Sequence, residues 1–521
     1  MGGFVGMFGP ERLGRCLNTG RCGLAGQRGP IPVAADAPFR CPECKSELIP
    51  FEGRMKKVEA GKKLRPLPRT LLLAALLLML LVVIGIRYDL FGLDFRQPPP
   101  IAAGDGTPFV TPPANVRTGA DDVTYDELAP MLWRRFLVDQ GCPEVDRTRT
   151  AANTVIKCTT GVDPKVTISA PESLVGIGAK ITRSFDLLLT TEPLFPAAPH
   201  GSIAAKPDVD GNVIHADTIA VDALVVIVHP SNPLTRLSQP QLAGIFLGTT
   251  TDFGQVGGQP GRIMVVAPAA GATADARLDA IVPKWLPLAP TARRLPTSEA
   301  IVAAVRDNPR AIGVVERRAA TAIKTLAIGP ANGIAVPPTA LALISGDYPL
   351  ARPVRALRFN RDDSPYETAF VAFARTPPAQ AVITAAGFEP VRPDMFPAPF
   401  PADAPPAYQA LVKGGRRVAA DLRFRPESLD LEPASRAALD AVAARLAGER
   451  IAPDKISVIG LSDPARASAG ADADALARQM VTLLAERGID TGRALGVGGA
   501  MPLAEPAEGN RNRRVEIWIS P

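Results

Sequence analysis

Histidine is nearly absent from the 521-residue chain: only His200, His215 and His229 occur, beside five tyrosines and an aromatic share of 5%. Imidazole is the commonest acid–base catalyst and a frequent metal ligand, so this scarcity argues against chemistry built on it. No phosphate-cradling GKS or GKT loop occurs, and no nucleophile sits near a base motif. The chain reads as a non-enzyme. A net positive excess is also missing from most of its length. The formal net charge is +6, yet residues 1–69 hold thirteen Lys/Arg against six Asp/Glu, which leaves 6 − 7 = −1 for the remainder. No basic face interleaved with aromatics follows, which disfavours nucleic acid as a partner.

Proline is in excess, with 54 residues against a usual frequency of ~5%. The length predicts three or four folded units, at roughly 100–200 residues each. Residues 70–86 read TLLLAALLLMLLVVIGI, an uncharged run that spans about 25 Å at ~1.5 Å per residue and has no polar face. It predicts one transmembrane helix, with Arg87 and Tyr88 as interfacial anchors. Lys56, Lys57, Lys62, Lys63, Arg65 and Arg69 crowd its N-terminal flank, which places residues 1–69 in the cytoplasm and the rest in the periplasm of a bacterial inner membrane. The long stretch before the apolar run argues against a removable signal peptide.

That partition gives the cysteines two meanings. Cys16, Cys22, Cys41 and Cys44 lie on the reducing side as two pairs, the second in a CPEC turn that resembles a zinc-ribbon knuckle. Four thiolates suit tetrahedral structural zinc, with redox cysteines or an ordinary disordered tail as the alternatives. Cys142 and Cys158 lie on the oxidising side with no later cysteine, and are expected to form a disulfide.

Residues 95–119 are rich in Pro and Gly and read as an extended spacer, and the Pro-rich stretch 390–406 reads as a second linker. Between them strands and helices alternate. The β-branched run 216–230 suits a strand buried in a mainly parallel sheet, SQPQLAGIFLG (238–248) a short helix, GRIMVVAP (261–268) a strand, residues 273–286 and 298–309 two helices, and AIGVV (311–315) another strand. This succession predicts an α/β architecture.

Four segments in order, residues 219–248, TTDFGQVGG (250–258), DNPRAIGVV (307–315) and YPLARPVRALRF (348–359), resemble the phosphate-type periplasmic substrate-binding proteins of ABC transporters. The resemblance implies two α/β lobes of the type II-like fold, joined by crossing strands, with phosphate or another small anion bound between them. It points to Ser173, Thr191 and Thr273 as ligand donors. The chain departs from the family pattern where Gly119, Ala120 and Asp121 replace a Gly-Ser loop, where Pro268 stands near an expected arginine, and where Gly271-Ala272-Thr273 replaces a Ser-Gly-Thr turn. A buried dianion without an arginine carries a large desolvation cost, which weakens phosphate itself as the ligand.

Residues 421–449 read as a strand, a turn and an amphipathic helix with Leu439, Val442, Ala443 and Leu446 on one face, followed by a strand (455–463), a helix (474–489) and a strand (514–520). GLSD (460–463) and NRRVEI (512–517) resemble the OmpA C-terminal peptidoglycan-binding domain. The resemblance implies that Asp463 accepts from the ammonium of a diaminopimelate stem peptide and that Arg478, fifteen positions on, grips its carboxylate, with Arg513 within reach.

The predicted organisation is multi-domain α/β and α+β: a cytoplasmic segment 1–69 carrying the zinc-ribbon-like motif (16–48), a transmembrane helix 70–86, a linker 87–120, a two-lobed binding-protein domain 121–392, a linker 393–412, and an OmpA-like β-α-β-α-β domain 413–521. The expected function is solute binding or sensing by a membrane-anchored protein attached to peptidoglycan, with an ABC transporter permease or envelope proteins as partners. The alternative is a structural envelope tether whose binding-protein-like domain has lost its ligand and binds proteins.

Overall fold

The computed structural model describes residues 12–15, 31–33, 38, 40–41, 49–50, 113, 115–159, 165–169, 185–191, 214–270, 275, 278–282, 286–359, 365–401, 404–505 and 511–521. Residues 1–99 and 100–521 form two compact units. In the first, strands Arg12–Arg15, Ile31–Val33 and Ile49–Pro50 pair as an antiparallel sheet. Among the described residues no helix is long and apolar enough to cross a membrane, and the expected span 70–86 lies outside them.

In the second unit the elements are β1 (Asn115–Ala120), α1 (Leu128–Asp139), β2 (Val145–Arg149), β3 (Asn153–Cys158), β4 (Lys165–Ser169), β5 (Leu187–Thr190), β6 (Ile214–Val228), α2 (Gln239–Leu247), β7 (Met264–Pro268), β8 (Arg293–Leu295), α3 (Ser298–Arg306), β9 (Ala311–Glu316), α4 (Ala340–Ile344), β10 (Ala351–Phe359), α5 (Pro365–Ala374), α6 (Pro377–Ala385) and β11 (Glu389–Pro390). They build one mixed sheet in the order β8-β7-β9-β6-β10-β5-β1-β4-β3-β2. Long strand β6 runs antiparallel to β10 from Ala223↔Ala351 to Ile214↔Phe359, with a bulge between Val354 and Arg355. Ile219 and Ala220 belong to the core of the first lobe, whereas Val221 and Ala223 belong to that of the second. The two lobes therefore share β6 and β10, and the changeover falls between Ala220 and Val221.

Local chemistry accounts for the elements. The second half of β6, Leu224–Val228, is buried on both faces, as a continuous β-branched run in a covered sheet should be. Helix α2 starts on a capping box, in which Ser238 accepts from the Gln241 amide (3.2 Å) and the Gln241 side chain from the Ser238 amide (2.9 Å). In the first lobe, Trp133 of α1 stacks on Phe370 of α5 with centroids 4.0 Å apart. Cys142 and Cys158 are bonded, with Cα atoms 5.8 Å apart, and join the end of α1 to β3. Within 273–286 the described residues form only a 3-10 turn at Leu278–Ala280.

Two expected spacers differ in part. Residues 115–120, assigned to the first linker, form β1, a central strand that pairs with β4 and β5 and buries Val116, Thr118 and Ala120 on alternate positions. The second Pro-rich stretch is structured as well. Glu389–Pro390 pairs with β6, Met395–Pro397 forms an edge strand β12, and Pro406–Val412 is helix α7. Proline fixes an extended backbone and lacks a donor, which an edge strand tolerates. Phe400 packs near Tyr408 and Trp518, so the stretch is anchored by its aromatic side chain.

The C-terminal part continues with β13 (Arg416–Val418), α8 (Pro433–Glu449), β14 (Ile456–Leu461), α9 (Ala469–Ala485), β15 (Arg493–Gly496) and β16 (Arg514–Ile519). The sheet order is β12-β13-β16-β14-β15, with β14 and β15 parallel and the other pairs antiparallel. Leu439, Val442 and Leu446 of α8 and Leu476, Met480 and Leu484 of α9 share a core with this sheet.

This C-terminal domain is welded to the second lobe. Asp347, after α4, is 4% exposed and pairs with Arg417 at 2.6 Å, while Arg417 also approaches Glu516 (3.6 Å). Arg423 donates to the Gly346 carbonyl at 3.0 Å, and Arg511 to the same oxygen at 3.3 Å. Burial alone would raise the Asp347 carboxyl, but Arg417, Arg514 and Arg423 overcome it and hold the carboxyl below the usual range. Backbone also meets backbone: the Ile334 amide donates to the Pro502 carbonyl at 2.9 Å, and a Cβ on Gly333 would lie 2.3 Å from that oxygen, so only glycine fits there.

Candidate functional site

Where β1 ends, the chain turns through Asp121, whose carboxylate is 7% exposed as a residue and fully engaged. Its Oδ1 accepts from the Thr124 amide (3.0 Å) and hydroxyl (2.8 Å). Its Oδ2 accepts from the Thr190 hydroxyl (3.2 Å), the Thr191 amide (2.5 Å) and the Thr191 hydroxyl (2.8 Å). Two amides and three hydroxyls converging from a strand end and a helix approach would suit an oxyanion. Here the chain's own carboxylate fills that place. Thr191, expected as a ligand donor, is buried and gives both its donors to Asp121. Ser173 and Thr273 lie outside the described residues.

Between the lobes lies a cleft of about 540 Å³. Its described lining carries Asp122, Asp126 and Glu127 from the first lobe and Glu299 and Glu316 from the second, against one cation, Arg318. Glu299 occupies the first turn of α3, where a carboxylate complements the helix dipole. Glu316, at the end of β9, accepts from the Ser298 hydroxyl. Asp126 pairs with exposed Arg149 at 2.6 Å, and Arg318 lies over the Phe388 ring at 5.7 Å. Pro268, at the end of β7, reaches the same cleft. Charge on the described walls is thus strongly negative, which repels a free anion and attracts a cationic group.

In the C-terminal domain, Asp463 follows β14 and caps the Ala465 amide at 3.1 Å, while Arg478 is exposed on α9. Gly460 brings their two elements together, since a Cβ there would lie 2.1 Å from the Ala473 carbonyl and 2.9 Å from the Ala477 amide. Arg513 is placed differently from Arg478. It is buried and forks onto Asp472, with both nitrogens at 3.0 Å, and donates to the Ser428 carbonyl at 3.2 Å. Asp472 also accepts from Ser462 at 2.5 Å, and Arg466 bridges Glu427 beside it. Burial opposes charge on Asp472, and Arg513 and Ser462 outweigh it, holding the carboxyl low. Asp472, which the sequence reading passed over, organises this corner; an acid nine positions after Asp463 opposite a closing Arg-Arg pair was its available signal.

Of the candidate zinc ligands, Cys41 is buried, and Cys16, Cys22 and Cys44 lie outside the described residues.

Residues 188–376 match the family model described as a PBP superfamily domain. A search of curated proteins returned no match. Among solved structures, the chain is similar to an ABC-type phosphate transport receptor from Vibrio cholerae, at 21% identity over 52% of this chain and 98% of that one, with a TM-score of 0.39. It is also similar to PstS from Borrelia burgdorferi, at 17% identity over 53% and 99% of the two chains, TM-score 0.41. A third is a possible phosphate binding protein from Planctomyces limnophilus, at 16% identity over 54% and 94%, TM-score 0.41.

Proposed function

We propose that this chain is a solute-binding protein of the bacterial envelope, in which the cleft between the lobes of the binding-protein-like domain takes a small solute. The observation that carries the reading is the sharing of β6 and β10 by both lobe cores, with the cleft opening where β1 and β7 end. Two rigid lobes on common strands are suited to closing on a ligand. The chain's role is to bind and present, not to transform. An ABC transporter permease or an envelope protein would receive the signal or the solute.

Residues 70–86 would hold the protein in the inner membrane with residues 1–69 in the cytoplasm, where the four cysteines would bind structural zinc. The C-terminal domain would hold peptidoglycan through Asp463 and Arg478. Arg513, committed to Asp472, would support that site rather than touch the wall peptide.

The ligand expected from the resemblance is phosphate or another small anion. The engaged Asp121 and the carboxylates of the described cleft walls favour a second reading, an envelope tether whose domain has ceased to take an anion and docks a protein partner. Isothermal titration of the full-length chain with phosphate, sulfate, acetate and putrescine separates the two. Saturable binding of any of them, weakened by Glu299→Lys for the amine or strengthened by it for an anion, establishes the solute receptor. Silence across the panel moves the assignment to the tether.

A further inference from the structure

A second cavity, of about 230 Å³, lies away from the cleft, at the seam between the shared strands and the C-terminal domain. One wall is α8, which presents Ala434, Ala437, Ala438 and Ala441. Their spacing of three and four puts them on one helix face, and their short side chains leave the space that larger residues would fill. Pro349 and Pro353 add apolar surface opposite.

Into this cavity projects Arg355, the residue at the bulge of β10. The other arginines of the lining have work elsewhere. Arg375 pairs with Asp217 at 2.9 Å, Arg392 with Asp394 at 3.2 Å, Arg423 with Asp421 at 2.6 Å, and Arg511 reaches the Gly346 carbonyl. No hydrogen bond or ion pair among the described residues engages the Arg355 guanidinium. Asp421 and Glu432 act on it at a distance, and burial opposes its charge more strongly than they support it. A half-buried guanidinium that lines the cavity without a protein acceptor is a ready partner for an anion there. Among the described residues five arginines and two acids, Asp421 and Glu432, line the space, and with Asp217 and Asp394 pairing Arg375 and Arg392 the excess positive charge falls around Arg355.

We propose that the seam cavity is a binding site for a small amphiphilic anion: a carboxylate with an aliphatic or aromatic body of about six to eight carbons, its head forked onto Arg355 and its body along the alanine face. At ~30 Å³ for the liquid share of one water, the space corresponds to about eight waters, which sets that size. An anion there touches β10 and α8 at once, and so bridges the shared strands to the C-terminal domain. This site is separate from the inter-lobe cleft and stands whether or not the cleft takes a solute.

The test is titration calorimetry of the full-length chain with benzoate and with hexanoate. We expect a Kd on the order of 0.1 mM, weakened at least about tenfold in Arg355→Gln through loss of the charge-assisted fork. Ala438→Phe, which fills the apolar wall, should weaken binding by a similar factor, and decides the matter where Arg355→Gln fails to fold. Glu486→Gln, exposed at the end of α9 and outside both cavities, should leave both affinities unchanged. No heat with either carboxylate up to about 10 mM, or binding that neither seam variant moves, overturns the proposal.

Discussion

The two cavities of the second unit carry opposite charge on their described walls, and the cleft has the sign opposite to the one an anion would favour. Among the described residues, the inter-lobe cleft, where a small anion was expected, is walled by Asp122, Asp126, Glu127, Glu299 and Glu316, with Arg318 as the one cation opposing them. The seam beneath the C-terminal domain, where no ligand was expected, gathers the arginines and leaves Arg355 without an acceptor. A fold sets where cavities lie, whereas charge decides what enters them. Asp121 sharpens the contrast, because a carboxylate tied into the backbone has taken the donors at the lip of the cleft.

The largest effect available breaks the seam and spares the cleft. Asp347→Ala removes the nearer of the two carboxylates that pair buried Arg417, leaving Glu516 at 3.6 Å, and should cost about 3 kcal/mol, read as a lowered urea midpoint of the C-terminal domain. Acid should do the same reversibly. The Asp347 carboxyl is held below its usual range, so its contribution is complete above about pH 4 and fades as pH falls through the depressed value. Loss of the Trp518 emission signal on acid titration, absent in Asp347→Asn, checks this.

Asp121→Asn attacks the cleft instead. It removes the charge that five donors surround and should destabilise the first lobe by about 1–3 kcal/mol, while phosphate affinity of the variant rises relative to the parent chain. Glu299→Gln is the mildest change. It removes one carboxylate from the cleft and one favourable partner of the α3 dipole, costing about 0.3–1 kcal/mol, with putrescine affinity falling if the cleft field is the attractant.

Periodicity made much of this legible. The run 216–230 is β6, Ile214–Val228, nearly to the residue, since an unbroken β-branched stretch has few alternatives to a covered strand. Helices α2 and α3 announce themselves by their caps, and α8 and α9 by the spacing of their buried apolar residues. Strand β1 hid because NVRTGA holds a single sizeable apolar residue, Val116, and only pairing with β4 and β5 makes it central. Strand β15, Arg493–Gly496, hid for a like reason: RALG has no strand signature until β14 lies beside it. The Pro-rich stretch hid because composition reports stiffness and not whether Phe400 finds a pocket. At the sites, Thr191 could be seen as a hydroxyl at a strand end, but that its partner would be Asp121, seventy positions earlier, needs the fold. Arg355 was one arginine among several in ARPVRALRF, distinguished only by the bulge that aims it.

The seam also imposes a timetable on synthesis. Gly346 and Asp347 leave the ribosome long before Arg417, Arg423 and Arg511, which lie up to 165 positions later. At ~5–20 residues per second, the second lobe waits several seconds to about half a minute with its acid unpaired. During that interval the lobe is complete in sequence but not in chemistry, and a chaperone has an unfinished surface to hold. A chain cut short before residue 413 would keep that surface for good.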